Sequence, residues 1–137
     1  MRRLLPALLS FVPLYFGLPA VSAAAGETKP IRLVCKYSHT IDDQGKRSAT
    51  SGEALFTVLR LGDSKIAVQK QGLGAQFTGT MTEAELSADV SYEIGNSRYA
   101  ESLTINRFTG ELQTTIRVGK GGLIHFGTCG PATQPIF

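Results

Sequence analysis

The chain has 137 residues, 42% of them hydrophobic, with fourteen Lys and Arg against eleven Asp and Glu. That is room for one domain with a core and too little charge for a disordered polymer. Two of the basic residues, Arg2 and Arg3, precede an apolar N-terminal run; without them twelve basic residues face eleven acidic ones, a net charge of +1. No basic run beyond this start exceeds Lys46 and Arg47, so the basic pI gives no ground for a nucleic-acid partner.

The first segment, "MRRLLPALLSFVPLYFGLPAVSAAAGE", has the layout of a secretory signal peptide: a basic start, an apolar stretch from Leu4 to Leu18, and small residues at its end. Pro6 and Pro13 interrupt the stretch, which is too short for a membrane span, and Val21, Ser22 and Ala23 suit signal peptidase. The expected division is a signal peptide over 1–23, a flexible mature N-terminus over 24–30 and a single β domain over 31–137. The mature chain is then not membrane-spanning, is periplasmic or secreted, and is expected to be a monomer.

Helix signals are nearly absent after that point, and short alternating segments recur about every ten residues with turn residues between them. "IRLVCKYS" puts Ile31, Leu33, Cys35 and Tyr37 on one face. A long polar connection follows, "HTIDDQGKRSATSG" from His39 to Gly52, expected to be a mobile surface loop. "EALFTVLRL" reads as a central strand, and Gly62 and Asp63 bend it into "KIAVQK". After "QGLG" comes a strand over Gly74 to Met81, and "MTEAEL" offers Thr82 as the cap of a short helical turn. "ELSADVSYEI" alternates most cleanly, with Leu86, Ala88, Val90, Tyr92 and Ile94 inward and Asp89 in water. "SLTINRFTGELQTTIRV" is a hairpin bent at Thr109 and Gly110. In the last strand, Leu123 to Cys129, the cysteine has the parity of His125 while Ile124 and Phe126 share the other face, so a bulge is expected at Gly127. The fold expected is all-β: a small antiparallel meander of about eight strands, closed as a barrel or flattened as a sandwich.

Cys35 and Cys129 bracket the domain, and in an oxidising compartment an even pair reads as a disulfide, here joining the first strand to the last. Closing so long a loop removes on the order of 4 to 5 kcal/mol of unfolded-state entropy in the chain-entropy model. No catalytic constellation is found. His39 beside Asp42 and Asp43 reads as solvated turn chemistry, His125 as a packed strand histidine, and no nucleophile elbow or phosphate loop occurs. Two cysteines without convergent histidines make no metal set, and no cofactor is expected.

"LVCKY", the end cysteines and "GLGAQF" from Gly72 to Phe77 resemble the membrane-bound lysozyme inhibitor of C-type lysozyme family, although Gly72 and Leu73 stand where its loop motif carries serines. That resemblance implies a binding loop at Gly72, Gly74, Gln76 and Phe77. "LTINRFTGELQ" and "GTCGPATQPIF" are similar to small exported proteobacterial proteins of no assigned function. The functions expected are, first, an exported non-catalytic module binding an unassigned protein or envelope component; second, an inhibitor of a lysozyme-type hydrolase; third, a carrier of a small apolar ligand.

Overall fold

The computed structural model describes residues 29–132; the expected leader over 1–23, the following segment to 28 and the last five residues lie outside the described residues. Nine strands form: β1 (Ile31–Asp42), β2 (Arg47–Ala49), β3 (Glu53–Arg60), β4 (Lys65–Lys70), β5 (Gln76–Met81), β6 (Glu85–Ile94), β7 (Ser97–Asn106), β8 (Glu111–Val118) and β9 (Gly121–Pro131). Among the described residues there is no helix. All pairings are antiparallel, and β9 returns to pair with β1, so eight strands close a barrel and β2 lies outside it as a short flap on β1.

An eight-stranded barrel has an interior just wide enough for side chains to fill. Here the alternation supplies them: Phe56 and Val58 from β3, Ile66 and Val68 from β4, Phe77 from β5, Leu86 and Ala88 from β6, Leu103 and Ile105 from β7 and Leu112 from β8 are all buried. Phe56 and Phe77 meet edge to face at 6.5 Å in the middle of the barrel. Asp89 is exposed between Ala88 and the half-buried Val90, as the strict alternation requires. Cys35 stands opposite Cys129 in the β1–β9 register and is bonded to it, with the Cα atoms 3.9 Å apart. The disulfide therefore fastens the seam at which the sheet closes.

The segment from His39 to Gly52 is not a free loop. β1 continues to Asp42, turns, and returns as β2, with His39, Thr40 and Ile41 opposite Ala49, Ser48 and Arg47. The Asp42 carboxylate accepts the Gln44 and Lys46 amides, which makes the turn. The bulge expected at Gly127 lies in the other strand. β9 keeps its alternation against β8 throughout, and the register shifts between Tyr37 and His39 of β1. Ile124 and Phe126 accordingly face outward, where the Phe126 ring stacks on His39 at 4.7 Å. Gly127 has a different role: a Cβ there would lie 2.2 Å from the Lys36 carbonyl oxygen, so only glycine lets β9 run this close to the bulged strand. At "MTEAEL" Thr82 does cap, accepting the Ala84 and Glu85 amides, but it closes a hairpin turn instead of starting a helix.

The two ends of the barrel differ. Where β1 begins lie the β3–β4, β5–β6 and β7–β8 turns, of three or four residues each. Where β1 ends, β6 and β7 pair out to Ile94 and Ser97 and β8 reaches Val118 opposite Tyr99, whereas β5 meets β6 no farther than Thr78 opposite Asp89. The rim is thus high along β6 to β9 and low along β3 to β5, leaving a one-sided mouth.

Candidate functional site: the barrel mouth

The inward positions of β6, β7, β8 and β9 continue past the apolar core with the same parity. One cross-strand row reads Val90, Glu101, Ile116 and Leu123, and the next reads Tyr92, Tyr99 and Val118. Glu101 is only 4% exposed. A carboxylate in that position costs several kcal/mol unless it is paired and hydrogen-bonded. Both oxygens are engaged. Lys70 Nζ donates to Oε1 at 3.2 Å, and the Tyr92 hydroxyl donates to Oε2 at 2.6 Å. Lys70 reaches across from β4 because it continues the inward series of Ile66 and Val68.

The aromatic rings gather around this pair. Tyr92 and Tyr99 are stacked at 5.2 Å with nearly parallel planes, and Tyr37 lies 5.0 Å from the His125 ring. Burial, then the hydrogen bond and charge of Glu101, with a smaller contribution from Tyr99, push the Tyr92 phenol up to about 12. Burial and Glu101 likewise raise the Tyr37 phenol. Burial, followed by the Lys70 charge, lowers the His125 imidazole, and Glu101 acts in the opposite sense. His125 Nδ1 is buried and has no hydrogen-bond partner; among the described residues no other buried side-chain nitrogen or oxygen lacks one.

Beside the pair is a cavity of about 420 Å³, lined by Tyr37, Glu53, Ala54, Leu55, Lys70, Gln71, Ile116 and His125. Its size is within the range of small-ligand sites. Lys70 lines it and Glu101 does not, so the cationic member of the pair is the one that borders the opening.

Of the binding loop expected from the sequence, Gly72 and Gly74 are exposed in the β4–β5 turn and Gln76 is exposed at the start of β5, all on the low rim of this mouth. Phe77 is separated from them: it is buried in the core against Phe56. His39 is outside the barrel, bonded to Ser38 and stacked on Phe126, away from His125. Lys70, Tyr92 and Glu101 form no recognisable motif in the sequence, yet the parity of Leu103 with Glu101 and of Val68 with Lys70 carries the signal. Among the described residues, no three of His, Cys, Asp and Glu converge as a metal set, and no helix is long and apolar enough to cross a membrane. No family model, no curated protein and no solved structure matches the chain.

Proposed function

We propose that the protein is an exported binding module, non-catalytic and monomeric, whose recognition site is the barrel mouth and whose partner belongs to the periplasm, the envelope or the extracellular space. The observation that carries this reading is the half-buried Lys70–Glu101 pair beside an open cavity. A buried ion pair contributes little net stability compared with apolar residues of the same volume, so its presence at an opening is better accounted for by recognition than by packing. Both Glu101 oxygens are held by Lys70 and Tyr92, which suits a fixed charge pair better than a base or nucleophile. The disulfide fits an oxidising compartment.

The test is capture from envelope extract with the oxidised domain, run beside a Lys70→Gln/Glu101→Gln variant and a Phe108→Ser control at the far end of the barrel. The expected partner is retained by the wild type and the control and lost by the mouth variant. Equal retention by all three would move recognition elsewhere.

The second reading, inhibition of a lysozyme-type hydrolase, is favoured by one observation: Gly72, Gly74 and Gln76 stand exposed on the rim of the same mouth. It predicts loss of cell-wall lysis by C-type lysozyme in the presence of excess protein, restored by Gln76→Ala. Phe77 is unsuitable for that test because its loss would empty the core. An apolar-ligand carrier has less support, since Phe56 and Phe77 fill the barrel's middle.

A further inference from the structure

The groups lining the mouth cavity are unequal in what they offer. Lys70 has three N–H donors and Glu101 takes one of them. The Tyr37 phenol is kept protonated and can donate. His125 lines the cavity, and its Nδ1 is buried without a protein partner, a state that normally costs about 1–3 kcal/mol. The acceptor side is already committed, because the Glu101 carboxylate is closed off behind Lys70 and Tyr92. Glu53, the other acid of the lining, is exposed at the rim. Ala54, Leu55 and Ile116 complete the wall with apolar surface.

We infer that the mouth takes a small organic carboxylate, its apolar body against Ala54, Leu55 and Ile116 and its carboxylate on Lys70, Tyr37 and His125. This rests on the mouth being the recognition site and gives that site a ligand class. A cationic ligand would meet Lys70 first, and a neutral one would leave the spare charged donors of Lys70 without the charge-assisted bonds that a carboxylate accepts. The geometry also links binding to protons. His125 is faced by Tyr37 from β1, Lys70 from β4, Glu53 from β3 and Glu101 from β7, and burial and then the Lys70 cation disfavour its charged form. A bound carboxylate favours the imidazolium, so the complex takes up a proton. Affinity then rises as pH falls between the imidazole's titration in the complex and its lowered titration in the free protein, by at most about tenfold per pH unit.

The experiment follows the His125 and Tyr37 ring resonances of the oxidised protein by NMR during titration with 1-naphthoate and, separately, its neutral isostere 1-naphthamide. A leucine-terminated tripeptide, as free acid and as C-terminal amide, separates peptide termini from free acids as the natural source. Saturable shifts are expected with one or both acids, weakened at least about tenfold in the amides and in Lys70→Gln/Glu101→Gln. In that variant core resonances such as Leu103 report that the fold is kept. Unchanged spectra with both acids, or equal binding of acids and amides, would overturn the carboxylate. If the acids fail while the captured envelope partner is still lost from the mouth variant, the ligand class falls and the mouth stands. If that partner is retained by the variant, the mouth reading itself falls.

Discussion

Glu101 is a carboxylate inside an apolar barrel, and its two partners offset its desolvation. Glu101→Ala would leave Lys70 beside the core without its counter-charge. Because the Lys70 side chain is still 23% exposed, water takes over part of that pairing, and the expected loss is about 1–3 kcal/mol instead of the larger cost of a fully buried orphan. Lys70→Met/Glu101→Leu should recover most of it, and a urea double-mutant cycle reads the coupling; strictly additive losses would mean the two groups do not interact. Tyr92 gives a second check. Its folded pKa is raised to about 12 from the ordinary 10.0, so between those values the folded state keeps a proton that the unfolded chain has lost. This contribution to stability is complete below pH 10 and is lost as pH rises through 12. Absorbance titration of the phenols should show Tyr37 and Tyr92 titrating late, and Glu101→Gln should bring both down. His125 acts at the acid side with the opposite sign. Its pKa is lowered in the fold, so its contribution is present above about 6.5 and is lost as pH falls through its folded value. The site was legible in part: parity places Tyr92 and Glu101 inward with Leu86 and Leu103. That Lys70 would cross the lumen to meet them depends on barrel closure and strand stagger, which no local pattern encodes.

At the level of the strands, alternation decided most of the architecture. β3 and β5 to β8 carry their buried residues on the face the sequence pattern indicates, because burying one face fixes the register; β4 buries Ala67 as well as Ile66 and Val68, and Ile94, expected inward, is exposed at the end of β6. The failures fall where backbone geometry takes over. A polar, glycine-containing segment after Ser38 reads as loop by composition, yet it pairs as a hairpin because the Asp42 side chain supplies the turn. A parity conflict in β9 indicates that a bulge exists but cannot say which partner strand carries it. In the structure β1 does, and Gly127 admits the crowding. Gly127→Ala is therefore expected to cost more than about 2 kcal/mol, since its Cβ would meet the Lys36 carbonyl carbon and the Tyr37 Cα as well as the oxygen. Gly130→Ala in the same strand is the control, because nothing lies within 4 Å of the Cβ position there. Chemical denaturation of both variants checks the pair, and equal midpoints would show that β9 has room at Gly127.

The barrel as a whole is a closed ring of ladders, and its weakest link determines how it opens. The disulfide pins the β1–β9 seam, the one that joins the two ends of the domain. The ladder between β5 and β6 is short, involving only Thr78 to Met81 opposite Leu86 to Asp89, while β6–β7 is paired from Glu85 to Ile94. With the bridge intact, local opening should begin at the β5–β6 seam, beside the low rim of the mouth, and native-state hydrogen exchange should find Thr78 and Thr80 less protected than the β7 amides of Leu103 and Ile105. Reduction removes the covalent closure of a loop with a sequence separation of 94. The expected loss is about 2–5 kcal/mol, taken mainly through the unfolded chain, which gains conformations once the tie is cut. Two consequences can be separated experimentally. Thiol titration of the denatured, unreduced protein should find no free thiol, and Cys35→Ala/Cys129→Ala should lower the unfolding midpoint. If the entropy of the unfolded chain dominates, the exchange pattern of the double variant keeps its low point at β5–β6, because the β1–β9 ladder from Leu33 to Asp42 still holds the seam. If protection instead collapses along β1 and β9 while β5–β6 is unchanged, the bridge holds the seam together in the folded state, and closure of this barrel depends on its sulfur as well as on its register.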